Sequence, residues 1–167
     1  MAMEQDLLTT LRNIEFLHDF PDEYLEPISS VAYTKDYKPG TVVFREGEKE
    51  SEVYLIFKGA VSLEMCAPGQ GCQQLQTVGA GEILGWSPLL GFDRVTATAR
   101  ALQPTKVIVI DAKQLLALCE HNPRFGYEFM RRTALALTRR LLAARLHLLD
   151  VYKAEIPVLP DEGGELA

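Results

Sequence analysis

What the chain lacks narrows the field before any motif is read. Its three histidines, His18, His121 and His147, all lie outside the region that reads as strands. A metal enzyme built on a small β-roll would set histidine and carboxylate donors among its strands, so no metal centre and no enzyme is expected. Cysteine is scarce and odd in number, with three residues, which argues against a disulfide framework. Cys66 and Cys72 nevertheless flank Ala-Pro-Gly-Gln-Gly, a hairpin tip across which they can face each other. A redox or metal role for that pair stands beside the plainer reading as small apolar strand residues. No apolar run approaches the roughly 20 residues of a membrane span. The opening Met-Ala-Met-Glu-Gln-Asp is polar and acidic where a secretory signal is basic and then apolar. The expected location is the cytoplasm, with no membrane contact. Positive charge is in deficit, 17 Lys and Arg against 23 Asp and Glu for a net charge of -6. That balance excludes nucleic-acid binding over the whole surface and leaves room only for a local basic patch.

What is present suffices for one core. Hydrophobic residues make up 47% and charged residues 24% of 167 positions, the composition of a single folded domain. Leu7, Leu8, Leu11 and Ile14 recur at helical spacing, and a second short helix follows Pro21, with Asp22 as its capping residue and Tyr24, Leu25, Ile28 and Val31 facing inward. Residues 1–32 therefore read as N-terminal helices. From 33 to 111 the pattern changes to short β-rich runs: Thr41–Phe44, Val53–Phe57, Ala60–Cys66, Gln73–Val78, Val95–Leu102 and Lys106–Ile110. Pro39-Gly40, Glu46-Gly47, Lys58-Gly59, Pro68-Gly69 and Gly79-Ala-Gly81 punctuate them. The fold class is α+β, mainly β: a double-stranded β-roll, or jelly roll, with N-terminal helices and a long C-terminal helix.

Residues 112–152 return to a helical period, with Asn122 capping and Pro123 opening the long run 123–152. Met130, Ala134, Leu137, Leu141, Ala144, Leu148 and Val151 form a coiled-coil seam along it, and Leu135, Leu142, Leu146 and Leu149 a second stripe. One roll covers one stripe, so a homodimer through helix 123–152 is predicted, the alternative being a helix wedged between the roll and the N-terminal helices. Arg124, Arg131, Arg132, Arg139, Arg140 and Arg145 make this helix locally basic. They suit an acidic partner or an anion in a pocket, or simply a solvated helix face. Residues 153–167, rich in Pro, Gly and acid, read as a flexible tail.

Two segments carry a family resemblance. Lys38-Pro-Gly-Thr-Val-Val-Phe-Arg-Glu-Gly-Glu48 and Val53-Tyr-Leu-Ile-Phe-Lys-Gly-Ala-Val61 form the first; Gly81-Glu-Ile-Leu-Gly-Trp-Ser-Pro-Leu-Leu90 with Arg94-Val-Thr-Ala-Thr-Ala-Arg-Ala101 forms the second. Together they resemble the cyclic-nucleotide-binding domain family, which includes bacterial catabolite activators, kinase regulatory subunits and gated channels. Gly85-Trp-Ser87, Ala99-Arg-Ala101, Cys119-Glu120, Gly126-Tyr-Glu128 and Leu148-Leu-Asp-Val-Tyr152 are also similar to a set of short stand-alone bacterial proteins of that fold. The resemblance implies a regulatory or sensor module that takes cyclic AMP, cyclic GMP or another small phosphate at the loop 81–94 and signals through the C-terminal helix. No cofactor and no direct DNA binding are expected, since no helix-turn-helix fits after the long helix. The partner protein is not named by the sequence.

In the family this loop is a turn of helix whose amides face the phosphate, with a Glu for the ribose hydroxyl and an Arg for the phosphate oxygens. Transferred residue by residue, the ligand-binding candidates are Gly81, Glu82, Leu84, Gly85, Trp86, Ser87, Arg94, Val95, Thr96 and Arg145. Three positions depart from the pattern. Trp86 stands where the ribose Glu belongs, and either stacks on a ligand ring or plugs the pocket so that the module is a ligand-free dimerisation adaptor. Val95 occupies the place of the phosphate Arg; Arg94, one residue earlier, reaches the pocket through a bulge or is a solvated partner of Asp93. Ala144-Arg145 lies where catabolite activators carry the hydroxyl pair that selects adenine.

Overall fold

The computed structural model describes residues 2–152, with side chains from residue 6 onward. Three short elements precede the first sheet: α1 (Ala2–Arg12), a 3-10 turn (Glu15–Leu17) and α2 (Asp22–Ser30). Asp22 does not cap α2. Pro21 holds the cap position without a side-chain bond, while the Asp22 carboxylate accepts from the guanidinium of Arg12 at 2.8 and 2.9 Å.

Eight strands follow, β1 (Ala32–Tyr37), β2 (Val42–Phe44), β3 (Glu52–Lys58), β4 (Ala60–Ala67), β5 (Gly71–Gly79), β6 (Ile83–Leu84), β7 (Thr98–Ala101) and β8 (Thr105–Asp111). They form two antiparallel four-stranded sheets, in the orders β1-β8-β3-β6 and β2-β7-β4-β5. The predicted runs are found within a few residues, with one exception. The run beginning at Val95 joins the ladder only at Thr98, because Val95 instead exchanges backbone bonds with Gly47 and Glu48 in the loop before β3.

Side chains alternate along β3 between two cores, as a strand buried on both faces requires. Val53 and Leu55 join Ile108 and Ile110 of β8 beneath the helices, with Leu11, Leu25, Leu115, Phe125 and Phe129. Tyr54 and Ile56 point the other way, into the roll, against Phe44, Val61, Leu84 and Val95. The β4–β5 hairpin projects beyond both cores, and Cys66 and Cys72, directly opposite in its register, are joined as a disulfide. The chain thus carries one bonded pair at an exposed tip, not a framework, and Cys119 is free and half-buried.

α3 (Ala112–His121) is capped by Asp111, which accepts from Gln114 N at 2.9 Å. α4 (Pro123–Val151) is capped, as expected, by Asn122. At 29 residues it is roughly 44 Å long, more than the roll can cover. Its buried residues are Phe125, Gly126, Phe129 and Thr133, none of them in either apolar stripe read in the sequence, although Met130 at the start of the seam packs half-buried against the same core. The helix is exposed from Leu141 to its end, so in its distal half neither stripe is covered by the roll. The predicted tail, 153–167, lies outside the described residues.

Candidate functional site

The loop between β6 and β7 takes its shape from Gly85. Leu84 pairs with Tyr54 across the β3–β6 ladder, and the next residue turns away with a φ of +76°. A Cβ there would stand 2.9 Å from the Tyr54 ring, so only glycine lets the chain pass. Trp86 then leads into a 3-10 turn (Ser87–Leu90) that Gly91 closes in the left-handed region. Leu89 is buried beneath the helices, while Leu84 and Val95 are buried in the roll.

This geometry leaves a cavity of about 30 Å³ at the mouth of the roll, bounded by Leu84, Gly85, Trp86, Ser87, Val95 and Thr96. Six of the ten candidate positions therefore share one wall. Trp86 is half-buried and sets its indole edge-on to Phe92, with 5.7 Å between ring centroids; it lines the cavity and is not part of the roll's core.

The other four candidates lie elsewhere. Arg94 donates from Nη1 to the Gly47 carbonyl at 2.6 Å and its backbone bridges Lys49, so it ties the loop to the β2–β3 connection and neither enters the cavity nor pairs with Asp93. Arg145 is exposed on distal α4, where the helix has run beyond the roll. Gly81 and Glu82 line a separate open cleft of about 530 Å³ with Arg131, Arg132 and Arg139. There Glu82 Oε2 accepts from Gly79 N at 2.6 Å and closes the turn into β6.

Of the six helix arginines read from the sequence as suiting an acidic partner, a pocket anion or a solvated face, the one that reaches this cavity is Arg140, which sequence reasoning does not set apart from the other five. It follows Thr133 by seven positions on the roll-facing side of α4, and its side chain completes the cavity wall. Nη2 donates to the Ile83 carbonyl, while Nε and Nη1 are buried without a partner. Burial pushes the guanidinium below its ordinary pKa, and the charge of Glu82 opposes that shift. The Arg140 carbonyl accepts from Gln76 Nε2 of β5 at 2.6 Å, so one residue fastens the helix to the roll through both backbone and side chain. The signal that could have found it is positional: a cation in register with Phe129 and Thr133 has to enter the fold. Its neighbours are spent on structure, Arg131 and Arg132 both pairing with Glu128 and Arg132 also donating to the Phe16 carbonyl at 2.9 Å.

The sequence profile described as the cyclic nucleotide-binding domain matches residues 34–122, which takes in both sheets and α3. The chain belongs to the cyclic nucleotide-binding domain family. Among curated relatives, the CRP-like cAMP-activated global transcriptional regulator of Mycobacterium tuberculosis is 25% identical over 138 residues, covering 80% of this chain and 60% of its own length. A catabolite activator protein of Thermus thermophilus superposes with a TM-score of 0.65 at 27% identity, over 83% of this chain and 63% of that one. A cyclic nucleotide-binding domain from Methylobacillus flagellatus shares the fold over 96% of this chain and 87% of its own, with a TM-score of 0.71 at 23% identity. The chain thus spans about 60% of the length of the curated transcriptional regulator it matches. No helix among the described residues is long and apolar enough to cross a membrane.

Proposed function

We propose that this chain is a ligand-sensing regulatory domain that takes a cyclic nucleotide or another small phosphate compound at the mouth of the roll, and that α4 reports occupancy to the same helix of a second copy. The observation that carries this reading is that α4 supplies a wall of the cavity through Arg140. A ligand entering there has to displace a helix side chain. Pockets for small ligands occupy roughly 300 to 1,000 Å³, and the 30 Å³ present is about the space of one water. Binding therefore requires the wall to open, and the sensor works as a shift between closed and open arrangements of the helix. Beyond the roll, Leu141, Leu148 and Val151 are between 51% and 59% exposed. With Ala144 between Leu141 and Leu148, their alternating steps of three and four fit a parallel copy of the same helix about a two-fold axis.

The closed cavity supports a second reading as well, a ligand-free dimerisation or adaptor module. Calorimetric titration with cyclic AMP, cyclic GMP and cyclic dinucleotides separates the two. Heat and a rise in melting temperature are expected for at least one of them; no response to any at millimolar concentration leaves only the adaptor. Sedimentation should give a dimer that Leu141→Asp with Leu148→Asp converts to a monomer, and a wild-type monomer would remove the helix from the mechanism.

A further inference from the structure

We propose that the anion-binding group of the roll cavity is Arg140, supplied by α4 and not by the loop, and that it receives the phosphate oxygens of a phosphomonoester or phosphodiester. This assignment rests on the function proposed above and names the group that performs it. A guanidinium stays ionised in a protein and presents five N–H donors. Arg140 has a single side-chain acceptor, the Ile83 carbonyl, while Nε and Nη1 face no partner. Unspent cationic donors out of water are costly unless something completes them.

The nearby groups do not complete them. Glu82, whose charge bears on Arg140, lends its Oε2 to Gly79 N. Of the arginines on the strands and loop of the roll, Arg94 is committed to the Gly47 carbonyl and Arg100 to Glu64 and the Gly40 carbonyl, and neither lines this cavity. Ser87 and Thr96 line the same cavity, and their hydroxyls can turn to donate to an anion. A guanidinium with buried, unspent donors and two hydroxyl-bearing residues on one cavity suit a tetrahedral oxyanion.

Regulation follows from the same placement. The side chain that would take the anion now holds the Ile83 carbonyl, and its backbone carbonyl is held by Gln76. With about 30 Å³ available, a phosphate cannot enter while Arg140 keeps its present seat. Ligand and closed helix therefore compete for one guanidinium.

The test compares wild type, Arg140→Gln and Arg94→Gln by calorimetry, with cyclic AMP, cyclic GMP and inorganic phosphate as probes at matched ionic strength. Arg140→Gln should weaken any probe that binds wild type by roughly tenfold to a hundredfold, and Arg94→Gln should not change it. Equal affinity in wild type and Arg140→Gln overturns the Arg140 assignment while leaving the sensor reading intact. Absence of binding to wild type by every probe overturns the sensor reading, and this assignment with it. In case Arg140→Gln fails to fold, the wild-type Arg140 Nε–H resonance decides the question. It should shift on titration with a binding probe, and a bound probe that leaves it unmoved refutes the proposal.

Discussion

Gly85→Ala is predicted to destabilise the roll by about 2 to 5 kcal/mol, and the structure separates two contributions. The first is backbone. At a φ of +76° an alanine adopts the left-handed region at a cost of about 1 to 2 kcal/mol. The second is contact. The new methyl would lie 2.9 Å from Tyr54 Cδ2 and 3.3 Å from the Glu52 carbonyl oxygen. The ring has little room to give way, since it packs 5.9 Å from Phe44 between centroids and its hydroxyl donates to Glu50 at 3.2 Å. Forcing a methyl into such packing costs about 1 to 3 kcal/mol more. Gly91→Ala is the control: its φ is +81°, yet nothing lies within 4 Å of the added Cβ, so it should cost only the backbone amount. Urea denaturation of both variants, with unchanged m-values, measures the difference. Within the Gly85→Ala background, Tyr54→Leu should be less damaging than alone, a favourable coupling in the double-mutant cycle. Losses within about 0.5 kcal/mol of each other for Gly85→Ala and Gly91→Ala would refute the claim that the Tyr54 contact shapes this loop.

Two further outcomes follow from side chains away from the loop. Glu128 bonds Arg131 and Arg132, which hold its carboxyl well below the ordinary 4.5, at about 2. A depressed acid contributes stability above its unfolded value and loses it as pH falls. The acid limb of the stability profile between about pH 4.5 and 2 should therefore flatten in Glu128→Gln; an unchanged limb, or a carboxyl titration midpoint near 4.5 by NMR, would contradict the pairing. Reducing the Cys66–Cys72 bond, which closes a sequence separation of six, should lower stability by at most about 2 kcal/mol. The loss of amide protection should be confined to the β4–β5 tip, and spread of exchange into β3 or β8 would show that the hairpin is not peripheral.

The roll is readable in the sequence because Gly and Pro punctuate it at the points where strands reverse, and because β3 and β8 are apolar enough to be buried on both faces. β1 carries no such mark. Its Tyr-Thr-Lys-Asp run is mostly exposed and lies on an edge, held by main-chain pairing to β8 from Ala32↔Ile110 to Tyr37↔Thr105, and such pairing leaves no side-chain pattern. Asp22 looks like a cap because Asp before a helix usually is one; a guanidinium ten residues earlier competes for the same carboxylate and takes it. On the loop, family spacing places Leu84 to Ser87, Val95 and Thr96 at one cavity, since all are fixed by a short local path. Arg94 and Arg140 are beyond such reasoning. Where an arginine's tip ends depends on which carbonyl it finds across the fold, and Gly47 and Ile83 are distant in sequence from the residues they bind.

In the proposed mechanism the two-residue strand β6 is the link between the cavity and the long helix. Ile83 turns its side chain into the core beneath the helices, and Leu84 turns its own into the roll. Both are held to β3, at Leu55 and Tyr54, and the Ile83 carbonyl is the anchor of Arg140. Cores packed as densely as crystals do not deform by degrees. A ligand that pulls Arg140 from Ile83 frees a backbone acceptor buried between two such cores, and that acceptor needs a new donor. The available response is to move α4, whose contacts become sparse beyond Arg140, and not the sheet, which is buried on both sides. Opening should therefore appear in the distal helix, and in the proposed contact with a second copy, while the strands stay in register.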